Sequence, residues 1–105
     1  MITITPEEIM ELIGRRRRQI IVHSVIYYRF NNNLIADHTF DRWCKELVDL
    51  QDNYPDLADN VVFSAEFKGF RGETGFHFAT IPWGIEKASF LMKLYRLDYF
   101  TERGD

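Results

Sequence analysis

Residues 27–43 read Tyr27-Tyr28-Arg29-Phe30-Asn31-Asn32-Asn33-Leu34-Ile35-Ala36-Asp37-His38-Thr39-Phe40-Asp41-Arg42-Trp43. The triple asparagine is a turn signal. Apolar residues recur at helical spacing on both sides of it, so the stretch reads as the joint of two helices. Two tyrosines lie before the turn. Two carboxylates, Asp37 and Asp41, lie after it at i,i+4 spacing.

Upstream, Thr5-Pro6-Glu7-Glu8 carries a helix start. Thr5 suits the N-cap, Pro6 the first helical position, and Glu8 the reciprocal place of a capping box. Ile9, Leu12, Ile13, Ile20, His23 and Tyr27 can share one broad face, so the first helix is expected to run to about residue 29. Gly14 opposes it, at ~1 kcal/mol relative to Ala. Ile20-Ile21-Val22 and Val25-Ile26 would also suit a strand.

A second helix is expected over residues 37 to 53. Phe40, Cys44, Leu47 and Tyr54 form its stripe, widened by Trp43 and Leu50, and Pro55 stops it. Beyond residue 60 the texture changes. Residues 61–67 and 76–79 read as two short strands around the glycine-bearing turn 68–75, which makes an antiparallel hairpin. Pro82 or Gly84 then opens a last helix to about residue 100. Ile85, Ala88, Leu91, Met92, Tyr95 and Tyr99 can face inward. Phe90, Leu94 and Leu97 widen that face beyond an ordinary stripe, which implies deep burial or a partner.

With 105 residues, there is material for one domain over residues 1–105. The net charge of −3 disfavours nucleic acid as a primary partner. A single cysteine excludes an intrachain disulfide and suits a reducing compartment. No apolar run resembles a signal or a membrane span, so the expected location is the cytoplasm. His23, His38 and His77 lack metal-ligand spacing, and no metal is expected. Cys44 falls on the apolar stripe and reads as core. Arg15-Arg16-Arg17-Arg18 reads first as a solvated helix face and second as a phosphate contact.

The joint admits two readings. In one, Asp37 caps a helix, Asp41 sits in its first turn, and Tyr27, Tyr28 and Phe40 simply pack. In the other, a helical hairpin brings an aromatic wall beside two carboxylates and the open amides of a helix N-terminus. That cavity would suit a flat ring with hydrogen-bond donors or a ribose, and a cationic heterocycle would gain from both rings and acids.

The pattern Tyr27-Tyr28, Leu34-Ile35-Ala36-Asp37, Phe40-Asp41, Glu46-Leu47, Leu50 and Tyr54-Pro55-Asp56-Leu57 resembles the N-terminal Ia domain of NAD-dependent DNA ligases, over residues 9 to 57. The resemblance implies a ligase-Ia-like helical hairpin over about residues 5–57. It also implies that Tyr27 stacks on nicotinamide while Asp37 and Asp41 hold the carboxamide or ribose hydroxyls of NMN or NAD. Tyr28 stands where the family often has His, and Phe40 where it often has Tyr. Both departures remove polar contacts.

No Lys-x-Asp-Gly nucleophile motif follows, so an enzyme is not expected. The expectation is therefore a helix-dominated α+β domain. It combines the ligase-Ia-like αα-hairpin with a small β-hairpin and a C-terminal helix over about residues 61–105. The expected function is non-catalytic binding of a nicotinamide nucleotide at Tyr27, Tyr28, Asp37, Phe40 and Asp41. The alternative is a protein-interaction or inhibitor module on the same scaffold, anchored by Trp83 or Tyr99, with homo-oligomer formation through the last helix. A small free-standing relative of this kind would be at home as a phage protein, by analogy.

Overall fold

The structure is a computed structural model that describes residues 3–73 and 75–102, with side chains through Tyr95. Four α-helices are described: α1 (Pro6–Arg29), α2 (Asp37–Asn53), α3 (Pro55–Asp59) and α4 (Pro82–Glu102), with a 3-10 helix at Phe76–Thr80 between the last two.

The start of α1 follows the sequence logic. Thr5 Oγ1 accepts from the Glu8 backbone N–H at 3.1 Å, and the Glu8 carboxylate accepts from the Thr5 N–H at 3.3 Å. The β-branched run is helical because α1 is central and is covered on several sides. Ile13, Ile20, Ile21 and Val25 are fully buried, and α2, α3, α4 and the 3-10 helix all pack on it. A continuous apolar surface suits a helix surrounded by neighbours. Gly14 is tolerated because a Cβ there would meet Val61 Cγ1 at 3.3 Å. Burial against Val61 offsets its poor propensity.

The α1 chain closes through Asn31, whose φ of 51° is the left-handed conformation that often ends helices. Six residues after Asn31, α2 begins and returns along α1. The pairs His23–Trp43, Arg16–Glu46 and Arg17–Gln51 show the antiparallel register. Cys44 and Leu47 are buried in this seam, with Phe40, Val48 and Leu50 packed beside them. Pro55 ends α2 as expected and also opens the short α3, where it occupies the first turn.

The β-hairpin expected over residues 61–79 is overturned: the described residues contain no strand, and the domain is helical. Residues 61–69 run through successive turns, with Phe67 N–H bonded to Phe63 O at 3.2 Å and Phe70 N–H to Phe67 O at 3.1 Å. Residues 76–80, read as the returning strand, form the 3-10 helix.

Two forces explain the difference. A strand would send Phe67 and Phe70 to opposite faces, whereas three-residue turn spacing brings both to one side. Phe67, Phe70 and Phe78 then form one buried cluster, with Phe67 stacked on Phe78 at 4.5 Å and set edge-on to Phe70 at 5.2 Å. The second force is Arg17. Its Nη1 donates to the Val61 and Val62 carbonyls at 3.0 and 3.1 Å, taking the acceptors a strand ladder would use.

In α4, Gly84 lies close against α1, and Ala88 is fully buried one turn later. A Cβ at Gly84 would run into the side chains of Ile21 and Val25, so only glycine permits this approach. Ile85, Leu91 and Met92 pack on the same cluster, whereas Tyr95 is half exposed. The side chains of Leu97 and Tyr99 lie outside the described residues. No helix of the described residues is long and apolar enough to cross a membrane.

Candidate functional site

The end of α1 and the start of α2 enclose a depression of about 480 Å³. Its walls include Tyr27, Tyr28, Asp37, Phe40 and Asp41, so the five residues singled out in the sequence share one cavity. Helix α1 supplies the tyrosines from its final turn. Helix α2 supplies both acids and Phe40 from its first turns, where Asp37, Phe40 and Asp41 share a face at i, i+3 and i+4.

Asp37 is the first residue of α2 and does not cap it. The N-cap is Ala36, which offers no side-chain hydrogen bond. Its carbonyl accepts from the Thr39 and Phe40 amides at 3.0 and 3.2 Å. The amides of Asp37 and His38 precede those bonds and receive no side-chain cap, at the end of the helix where the dipole favours an anion.

The aromatic wall is ordered by its own contacts. Tyr27 and Tyr28 meet edge-on at 4.9 Å, and Tyr28 meets Phe76 edge-on at 6.0 Å. Tyr27 is 55% exposed, which leaves ring surface open to a ligand.

Five further residues complete the lining: His23, Ser24, Asn33, Leu34 and Ile35. Sequence reading placed His23 on the face of Tyr27 but did not carry it into the site. The signal was available for both α1 residues. His23 and Ser24 lie one turn before Tyr27 and Tyr28, so their side chains stack beneath the tyrosines. The three loop residues had no such signal, because a loop conformation does not follow from spacing. Burial lowers the His23 pKa below the ordinary histidine value, and the imidazole packs against Trp43 at 5.5 Å. It is therefore neutral near pH 7 and adds no positive charge to a cavity that carries two acids.

The arginines fall elsewhere. Arg15 pairs with Glu11 at 2.7 Å, and Arg16 with Glu46 at 3.3 Å. Arg17, read in sequence as part of a solvated face, is buried and holds Gln51 and two carbonyls. The run ends nine residues before Tyr27, roughly 14 Å along the helix. Arg29 is nearer, but its Nε donates to the Ala79 carbonyl at 2.6 Å and its guanidinium lies over Phe76. None of these side chains lines the depression.

A second depression, about 560 Å³, lies beside the middle of α1 and the C-terminal end of α2, with Arg17, Gln51, Asp52, Phe67 and Arg71 in its wall. Its principal polar groups are committed to one another: Arg17 to Gln51 at 2.8 Å and Arg71 to Asp52 at 2.8 Å. The joint is the better binding cavity because its acids make no ion pair among the described residues. The described residues hold no group of three or more His, Cys, Asp or Glu side chains able to bind a metal. The Cys44 thiol is pushed up to about 11 by burial and by the nearby Asp41 charge, which makes it a poor nucleophile.

The fold and cavity define a small helical domain that presents an aromatic and acidic depression at a hairpin joint. Residues 6–60 match the family described as DNA ligase-like, N-terminal NAD+-binding domain, and the chain belongs to that family. Its similarity to curated proteins is to the DNA ligases. It is 36% identical to the DNA ligase of Thermotoga maritima over 53 residues, which cover 50% of this chain and 8% of that protein. It is 38% identical to the enzyme of Methylococcus capsulatus over the same length. With the DNA ligase of Nitratidesulfovibrio vulgaris the match is 25% identical over 100 residues, 95% of this chain and 11% of the relative. The chain thus spans about a tenth of the length of the relatives it matches. No solved structure matches it.

Proposed function

We propose that the chain binds a nicotinamide nucleotide, NMN or NAD, at the joint of α1 and α2, without catalysis of its own. One observation carries the reading: Tyr27, Asp37 and Asp41 line a single open depression. The physical roles follow from the groups. Tyr27 offers a ring face to the pyridinium, whose positive charge the ring quadrupole attracts. Asp37 and Asp41 are pure acceptors when ionised and suit amide or hydroxyl donors. Phe40 and Tyr28 exclude water from the ring edges. Membership of an NAD+-binding domain family supports the choice of guest. The single buried Cys44 is compatible with a reducing cytoplasm.

Calorimetric titration with NMN and with NAD tests this. Heat of binding is expected for NMN, and Asp41→Ala is expected to remove it while the far-ultraviolet spectrum stays helical. An absence of heat with either nucleotide, on folded protein, rejects the reading.

A second reading has its own observation. Phe90 is 61% exposed and Leu94 and Tyr95 are also open, so α4 carries an apolar edge suited to a protein partner or a second copy. Trp83 is no free anchor, since it packs on Phe63 at 5.3 Å and against the core. Tyr99 lies outside the described side chains. Sedimentation of the protein and of Phe90→Glu separates the two: a dimer lost in the variant supports the second reading.

A further inference from the structure

The α1–α2 depression contains one lining group that the protein leaves unsatisfied. Ser24 is 2% exposed, and its Oγ has no hydrogen-bond partner among the described residues. It nevertheless lines the cavity. A buried hydroxyl without a partner is costly and uncommon. A serine in mid-helix ordinarily returns its proton to the carbonyl four residues back. The other described mid-helix serine does so: Ser89 Oγ donates to Ile85 O at 2.8 Å. Ser24 departs from that habit in the wall of the depression, where its Oγ is covered in the free protein and a turn about χ1 is the movement that would bring it to a guest.

The surroundings restrict the guest. Ser24 lies on α1 beneath Tyr27 and Tyr28, and the exposed Asp37 and Asp41 come from α2. The carboxylates can only accept hydrogen bonds, whereas the serine can donate one. A flat group that meets both must carry a donor and an acceptor side by side. A primary carboxamide does so, with its NH₂ toward a carboxylate and its carbonyl toward the serine. A carboxylate on the same ring has acceptors only and brings a like charge to the acids.

On the nucleotide-binding reading above, we propose that Ser24 is the amide-reading residue of the site: its hydroxyl donates to the carboxamide carbonyl and makes the depression select pyridine carboxamide nucleotides over pyridine carboxylate nucleotides. Tyr27 supplies ring affinity for both classes. Ser24 and the two acids supply the difference. The free protein carries the unsatisfied hydroxyl as preorganisation for that contact.

The test is calorimetric titration of NMN and of nicotinic acid mononucleotide into wild type, Ser24→Ala and Ser24→Cys, with thermal melts alongside. Wild type is expected to prefer NMN by more than about tenfold, and Ser24→Ala to weaken NMN about tenfold while barely changing the acid. Its melting temperature should hold or rise, because the orphaned hydroxyl is gone. Ser24→Cys keeps the size and most of the packing but donates weakly, and should lose NMN affinity in the same direction. If both variants bind NMN as wild type does, or if wild type binds amide and acid equally, the proposal is overturned. If wild type binds neither nucleotide, the broader reading fails and takes this one with it.

Discussion

Residues 6–59 and residues 61–81 are similar in apolar content, yet they acquire their shape in different ways. The first segment is governed by signals within a turn or two of each residue: a capping box, two prolines at helix starts, and apolar stripes at helical spacing. The second is governed by what it lies against. Its phenylalanines pack as one cluster, and two of its carbonyls are held by an arginine 44 and 45 residues away. Local signals define the joint that carries the candidate site. Long-range contacts define the cover that keeps α1 buried.

That contrast can be broken at several points. The largest effect is expected at the cover. Phe67 is 1% exposed and central to the cluster, so Phe67→Ala should cost about 4 kcal/mol in urea unfolding. A loss below about 1 kcal/mol would mean that the cluster does not hold the segment. Next comes Arg17→Met, which keeps the apolar stem but frees Gln51 and the Val61 and Val62 carbonyls. A loss of about 3 kcal/mol is expected, with residues 61–69 exchanging amide protons faster than α2. Equal exchange in the two segments would contradict the claim that Arg17 shapes the cover.

At the local end, Thr5→Ala removes one half of the capping box and should cost about 1 kcal/mol, confined to the first turn of α1. The smallest effect concerns pH. Burial lowers the His23 pKa in the folded chain, so the unfolded chain binds more protons below the ordinary histidine value of 6.5. Stability is therefore fully present above pH 6.5 and declines as pH falls from 6.5 through the lowered folded value. Replacing His23 with Gln should flatten that slope in melts between pH 7.5 and 5. An unchanged slope would assign the pH dependence to other groups.

The same contrast explains what the sequence could convey. Both long helices of the first segment were legible, because Thr5, Pro6, the asparagine turn and Pro55 mark their ends chemically. The aromatic and acidic wall was legible too, since Asp37, Phe40 and Asp41 fall on one face of a helix whose start was clear. Residues 61–79 were misread because Val61, Val62 and Phe63 favour strands by composition, and no local feature tells of Arg17 waiting on another element. The positive φ of Phe63, 68°, is likewise a tertiary imposition that no propensity anticipates. Arg17 itself was hidden inside a run of four arginines, where burial of the third depends on the segment it grips. Ser24 carried only its spacing from the tyrosines, and its orphaned hydroxyl is visible only once the surrounding packing is known.

The central claim is that the α1–α2 joint is the nucleotide site, and mapping binding by NMR tests it most directly. Titration of NMN into the labelled protein should shift the amides of His23, Ser24, Tyr27, Asp37 and Asp41 first and furthest, with residues 61–73 little changed. Shifts that gather instead around Arg17, Gln51 and Arg71, or that fail to appear at saturating NMN, would contradict it.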